Sequence, residues 1–276
     1  MRETGSGRKD DAPETGPAGP PPPRAAVSVE QALRTRRSVR AFLPVPVTRE
    51  EVERLLALAS MSASNSNSQP WRVHVLMGAA KHRLATALLE AFENGRRLPE
   101  TALEYPYQPA PDAWPEPFRT RRHRFGEWLY GDLLGIGRAD MVLRNAYHAR
   151  NYTFFGAPVG LVVTVSRHLL AGALLDAGLF LQALMLAARG AGLDTCPQAS
   201  LIHFHPVLRD QLSIPDDQTI VCGLALGYAD PGHVLCARRT TREPVENFAV
   251  FHGGAGRSPA GPGRGTVTEG DQVAEP

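Results

Sequence analysis

Apolar positions recur along this chain with more than one spacing. Val52, Leu55, Leu56 and Ala59 stand at i, i+3, i+4 and i+7, the stripe of a helix that buries one face. Immediately before them, Thr48-Arg49-Glu50-Glu51 has the form of a capping box, in which hydroxyl and carboxylate each satisfy a backbone donor at a helix start. Ser28 predicts a similar start for a short helix running through Arg36, and Ala79–Phe92 predicts a third helix. Trp71–Met77 reads as a strand, and the continuous apolar runs Val159–Val165 and Thr219–Leu226 read as buried strands. Leu169–Arg189 is apolar nearly all round, the pattern of a helix hidden in a core or a subunit interface. Asp176 and Gln182 interrupt it and Gly172 and Gly178 thin it, so a membrane span is not expected.

The pattern fades at both ends. Residues 1–26, with the run Pro20-Pro21-Pro22-Pro23, and residues 253–276 are rich in Pro, Gly and charge without apolar periodicity, and are expected to remain disordered arms. Between them a folded domain spans 27–252. Its segment 98–151, heavy in Pro, Tyr, Trp and Arg, is expected to be an irregular cap inserted into the domain rather than a layer of its core. Helices distributed around a few buried strands predict a layered α+β fold.

Composition narrows the function. The chain has 276 residues, 43% of them hydrophobic, enough for a sizeable core. Thirty Lys and Arg against 28 Asp and Glu leave a net charge of +2, too small for a nucleic-acid-binding field. Cys196, Cys222 and Cys236 form no CxxC pair and no signal peptide precedes them, so a cytoplasmic setting without disulfides is expected.

Three stretches carry candidate chemistry. In Arg36-Arg37-Ser38-Val39-Arg40, a continuing helix would place Arg36 and Arg40 one turn apart on one face with the Ser38 hydroxyl beside them. Guanidinium forks so placed clamp a phosphate; the same arginines also suit a last helical turn beside the helix dipole. The run Ser62–Trp71 is dense in hydroxyl and amide side chains, able either to bond the polar edge of a planar heterocycle or to form an ordinary turn. Gly192–Ala199 and Val221–Tyr228 combine small residues with Pro197, which permits close backbone approach to a flat ring and equally describes tight strand ends. The basic run Arg119–Arg124 fits a solvated surface face better than a site that attracts the nicotinamide phosphate or an acidic substrate.

Taken in order, these pieces resemble the nitroreductase family of FMN flavoproteins: Arg-Arg-Ser-x-Arg at 36–40, Ser-Asn-Ser-Asn-Ser-Gln-Pro-Trp at 64–71, Pro197-Gln198-Ala199, and Gly223-x-Ala225-Leu226-Gly227-Tyr228 followed by Arg239 and Arg242. The middle segment, with Gly126-Glu127-Trp128-Leu129-Tyr130 and Arg150-Asn151-Tyr152-Thr153-Phe154-Phe155-Gly156-Ala157-Pro158, is similar to the branch containing nitrobenzoate reductases. The resemblance implies a three-layer fold with a central mixed β-sheet flanked by helices, an inserted cap, and a homodimer with FMN at the subunit interface. It implies that Arg36, Ser38 and Arg40 hold the FMN phosphate, that Arg37 lies near the flavin edge, and that Arg242, helped by Arg239, reaches the phosphate from the C-terminal arm. Ser64, Asn65, Asn67 and Gln69 would contact the partner's flavin, while Pro197, Gln198, Ala199 and Gly223 would face the ring. Where the family usually has proline before that first serine, this chain has Ala63, so a looser loop is expected.

The implied activity is ping-pong transfer of a hydride from NADPH or NADH through FMN to a nitroaromatic or similar electron-poor acceptor, with no obligatory acid or base and no metal. Tyr105, Tyr107, Trp114 and Phe118 are the candidate pocket wall, and Trp128 is expected to pack the cap. A flavin dehydrogenase or ene-type reductase, and a flavin-binding protein without turnover, remain open alternatives on sequence alone.

Overall fold

The computed structural model describes residues 27–236 and 239–253; the two terminal arms expected to be disordered, 1–26 and most of 253–276, lie outside the described residues. The chain divides into Met1–Arg239 and Thr240–Pro276, so the first unit closes earlier than the domain end expected at 252. The described part of the second unit contains one short turn, Val245–Asn247.

Helix starts follow their local signals. Ser28 and Thr48 both make full capping boxes, at the heads of α1 (Val29–Thr35) and α2 (Arg49–Ala59), where side-chain oxygens satisfy backbone donors that have no partner inside the helix. Strand β1 (Trp71–Met77) leads into α3 (Gly78–Glu93). Within the cap come α4 (Phe118–Gly126), a wide-pitched turn over Glu127–Leu133, and α5 (Met141–Ala149), whose first turn is capped by Asp140. Strand β2 (Val159–Ser166), α6 (Leu170–Gly190), β3 (Asp194–Gln198), α7 (His205–Leu212) and β4 (Gln218–Gly227) complete the first unit.

The strands form one sheet in the order β1-β2-β4-β3. Two apolar clusters cover its faces. On one side Leu84 and Leu88 of α3 and Leu208 of α7 pack with Val162, Ile220 and Ala225; on the other, Val52 and Leu55 of α2 and Phe180 and Leu184 of α6 pack with Leu161, Leu224 and Leu226. Successive strand side chains alternate between these clusters, as a pleated ribbon requires, giving helix, sheet and helix layers.

Three sequence expectations need correction. The sheet is antiparallel in all its strand pairings, and a parallel contribution appears only as the bridge between Ser38 and Thr195. The cap is largely helical: α4 turns mostly charged side chains outward, carries little apolar periodicity and rests on near-neighbour pairs such as Arg119 with Glu116 and His123 with Glu127, while the amphipathic α5 buries Tyr147. It has its own small cluster of Leu129, Ile136, Tyr147 and Leu235, against which Trp128 packs. Finally, β3 forms where only a close backbone approach was read. Its Pro197 sits on the outermost strand, where the missing N–H breaks no ladder bond.

Helix α6 crosses the sheet beneath α1 and α2. With the preceding turn it is long and apolar enough to span a membrane by length and composition alone. Ala173, Ala177, Phe180, Leu184 and Ala188 face the interior, marking a core helix, whereas Leu175 and Leu179 lie exposed on its outer face.

Candidate functional site

The site is built on the free edge of β3. Helix α1 stops at Thr35, and Arg36 is already extended, with φ −61° and ψ 136°. The expected helical face joining Arg36 and Arg40 is therefore absent. An extended ribbon joins them instead: the Val39 N–H donates to the Thr195 carbonyl at 3.0 Å, and Val39 is fully buried. With a period of two, Arg36, Ser38 and Arg40 share one side of the ribbon while Arg37 and Val39 share the other. The residues were legible in sequence; the geometry that unites them comes from pairing with β3.

Electrostatics locate the two guanidinium groups. Burial pushes the Cys196 thiol up to about 11, and the nearby charges of Arg40 and Arg36 oppose that rise. Both charges act on this one residue of β3, although Arg36 reaches Met185 Sδ on α6 at 3.9 Å. Arg40 also lies over the Phe125 ring at 5.9 Å and its carbonyl accepts a hydrogen bond from Arg150 Nη2 at 2.9 Å. Sequence reasoning named Arg150 only as part of the segment similar to the nitrobenzoate reductase branch and gave it no role at the site.

Along the same edge, four buried polar atoms have no partner within the described residues: Arg37 Nε, Thr195 Oγ1, Gln198 Oε1 and Ser200 Oγ. Gln198 is held by its amide nitrogen, which donates to the Asn151 carbonyl at 2.6 Å, so its Oε1 remains a presented acceptor. A buried polar atom left unpaired costs about 1–3 kcal/mol. Four beside one exposed proline face describe a surface prepared for a flat ligand carrying both donors and acceptors. FMN fits this set: its ring edge bears both kinds of group, and its phosphate suits the arginines of the ribbon. Ala199 follows Gln198 at the strand exit and is half-buried.

The polar loop after α2 forms a tight turn over Asn65–Asn67, with Ser66, Asn67 and Gln69 at φ of 52°, 55° and 46°. Such left-handed backbone at non-glycine residues persists only when surroundings impose it. Here Gln69 N–H donates to Ser64 Oγ at 3.1 Å, Gln69 Nε2 donates to Asn67 Oδ1 at 3.1 Å, and Asn65 N–H donates to the Asp176 carboxylate at 3.2 Å. Asn65, Asn67 and Gln69 present their outer surfaces to solvent.

The remaining candidates scatter. Gly223 lies beneath the sheet edge, where an added Cβ would stand 2.5 Å from Leu201 Cδ2; its smallness serves packing rather than approach to a ring. Tyr105 is buried and its hydroxyl donates to the Val221 carbonyl at 2.8 Å, which places it in the core and removes it from the expected pocket wall. Tyr107 stands edge-on to it and is half-exposed; Phe118 is 51% exposed with Arg121 over its ring, and Trp114 carries Arg122 over its face. Arg239 donates to the Arg34 carbonyl at the end of α1. Arg242 belongs to the second unit and bonds Thr240 Oγ1 at 2.7 Å.

The nitroreductase family model matches residues 33–228. The chain belongs to the nitroreductase family. It is 47% identical over 227 residues to a 4-nitrobenzoate reductase of Nocardioides sp. (strain LMS-CY), covering 82% of this chain and 91% of that one. It is 42% identical to a chloronitrobenzene nitroreductase of Comamonas testosteroni, covering 81% and 96%. The fold is similar, with a TM-score of 0.75 and 33% identity, to the FMN-dependent nitroreductase NfnB of Mycobacterium smegmatis in complex with NADPH, covering 81% of this chain and 97% of that one.

Proposed function

We propose that this nitroreductase uses FMN and NAD(P)H to reduce nitroaromatic acceptors, with substituted nitrobenzoates as the favoured class, and that it works as a cytoplasmic homodimer. The pairing of the Arg36–Arg40 ribbon with Thr195 of β3, in a region where Arg37, Thr195, Gln198 and Ser200 each keep a buried polar atom without a partner, carries this reading. The similarity to a 4-nitrobenzoate reductase over most of both chains supports the acceptor class.

Bound FMN supplies the relay of a hydride from nicotinamide to acceptor. The protein's task is to hold and orient. Arg36, Ser38 and Arg40 would anchor the phosphate, Arg37, Thr195 and Gln198 would meet polar groups of the ring, and Pro197 would offer it an apolar face. Tyr107 and Phe118 of the cap would supply an aromatic wall for an acceptor, and Arg239, at the end of the first unit, would reinforce the phosphate. Pre-set donors on a rigid edge need no rearrangement during reaction.

The dimer is supported by exposed apolar surface. Leu175, at 69% exposure, and Leu179 stand on the outer face of α6 with Gly172 and Gly178 between the turns, and Leu33 of α1 and Met61 after α2 are also exposed. Continuous apolar helix faces of this kind are typical of obligate interfaces. A second chain seated there would bring its Ser64–Gln69 loop to this chain's ring.

A visible spectrum of the purified protein, followed by anaerobic mixing with NADPH and then with 4-nitrobenzoate, tests the function. Flavin absorbance bleached by NADPH and restored by nitrobenzoate is expected; a colourless protein that takes up no FMN overturns the reading, and restoration only by an activated alkene transfers it to ene reduction. Sedimentation of the FMN-bound protein as a monomer would defeat the dimer.

A further inference from the structure

A carboxylate in the middle of α6 has no role in the mechanism above. Asp176 is 5% exposed and lies between Ala173 and Ala177, both buried, on a helix otherwise almost wholly apolar. Its two oxygens both accept from the Asn65 N–H, at 3.3 and 3.2 Å. Burial of a charge costs several kcal/mol by typical magnitudes and is offset only when good partners surround it. One bifurcated amide is small compensation, so stability alone would favour leucine or alanine at this position.

What that amide belongs to explains the acid. Asn65 opens the turn whose next residues include three in left-handed backbone, Ser66, Asn67 and Gln69. The loop's other hydrogen bonds, from Gln69 to Ser64 and to Asn67, are internal to it and cannot fix it relative to the rest of the molecule. The bond to Asp176 ties the loop to the helix that carries the exposed Leu175 and Leu179 surface.

We infer that Asp176 is a positioning residue: its carboxylate holds the Ser64–Gln69 loop, by the Asn65 N–H, in the shape that meets the flavin of a second subunit. The inference rests on the function and dimer proposed above. The acid is retained for the loop it orients at the expense of stability, the usual balance at functional positions.

Two variants separate this from a structural role. Asp176→Leu removes the acceptor and fills the space; Asp176→Asn keeps an oxygen that accepts from Asn65. In Asp176→Leu, amide hydrogen exchange over 64–69 should accelerate at least tenfold and the FMN dissociation constant should rise at least tenfold, while the FMN-free protein melts no lower than wild type. Asp176→Asn should recover most of the FMN affinity. Wild-type exchange and FMN affinity in Asp176→Leu, or melting lowered in both variants in step with flavin loss, would overturn the inference. Wild-type protein that binds no FMN would defeat the proposed function instead, and the exchange measurement would still report whether Asp176 holds the loop.

Discussion

The β3 edge and the cap, the two regions proposed to hold cofactor and acceptor, are built in opposite ways. Around β3, Val39, Cys196 and Leu201 are almost completely buried, and the Arg36–Arg40 ribbon is stitched to Thr195 by a backbone hydrogen bond and to Arg150 through that residue's guanidinium, which donates to the Arg40 carbonyl. The cap rests on a small satellite cluster and on guanidinium groups lying over aromatic rings, with Arg144 4.2 Å from the centre of Tyr130. Dense packing permits one arrangement, whereas stacked cations on a half-exposed surface are worth about 0.5–1 kcal/mol each and rearrange readily. On the proposed function the difference teaches a division of labour: the rigid part would hold the one cofactor, and the adjustable part would meet acceptors of differing size.

The comparison breaks most easily at Arg40. Replacing it with alanine removes a charge-assisted phosphate contact while its backbone carbonyl, the acceptor for Arg150, stays in place. A charged hydrogen bond of about 1.5–3 kcal/mol corresponds to roughly a ten- to hundredfold loss of FMN affinity, measured by titration of the FMN-free protein, with little change in melting. Unchanged affinity would remove Arg40 from the phosphate site.

Gly223→Ala attacks the packing beneath the edge. A methyl group 2.5 Å from Leu201 Cδ2 forces a fully buried side chain to move, at a cost of about 1–3 kcal/mol. Denaturant unfolding should register that loss, while FMN affinity falls only as far as β3 is displaced. A selective loss of FMN at wild-type stability would restore Gly223 to the cofactor site.

The junction between cap and core gives a pH test. His203 is buried, its Nδ1–H donates to the Leu98 carbonyl at 2.8 Å, and its Nε2 faces Arg97. Burial, aided by the Arg97 charge, holds its pKa below the usual 6.5. The unfolded chain therefore takes up this proton first, and stability contributed by neutral His203 is complete above 6.5 and declines as pH falls toward the depressed folded value. Melting temperature followed across that interval should fall less steeply in His203→Gln, which keeps a donor and an acceptor. Identical slopes would show that this histidine does not sense pH.

The smallest effect is expected on the cap. Phe118→Ala should raise KM for nitrobenzoate by a small factor and leave FMN affinity and melting unchanged, because the ring is half in solvent already. A marked fall in melting would mean that the cap is as tightly built as the edge.

Much of this was legible beforehand where the cause is local. Two capping boxes, the strand Trp71–Met77 and the long apolar helix appear within a residue or two of their expected bounds, since donors, acceptors and periodicity lie within one turn of each other. Helix α4 of the cap was hidden because burial writes little pattern on exposed segments. Tyr105 looked like a pocket residue because sequence records that it is aromatic but not that Val221 lies across from its hydroxyl. Asp176 was visible as a break in an apolar run, a signal worth following: a lone acid in such a helix needs a donor, and that donor was 111 residues away.

By itself, the sequence determined the layered α+β class, the family, and the residue types able to grip a phosphorylated planar cofactor. Only tertiary structure decided that Arg36 and Arg40 are joined by an extended ribbon, that Gly223 and Tyr105 belong to the packing, and that the asparagine loop is anchored to α6. Local rules act over a few residues, whereas these arrangements arise from strand pairing and burial between segments far apart in the chain.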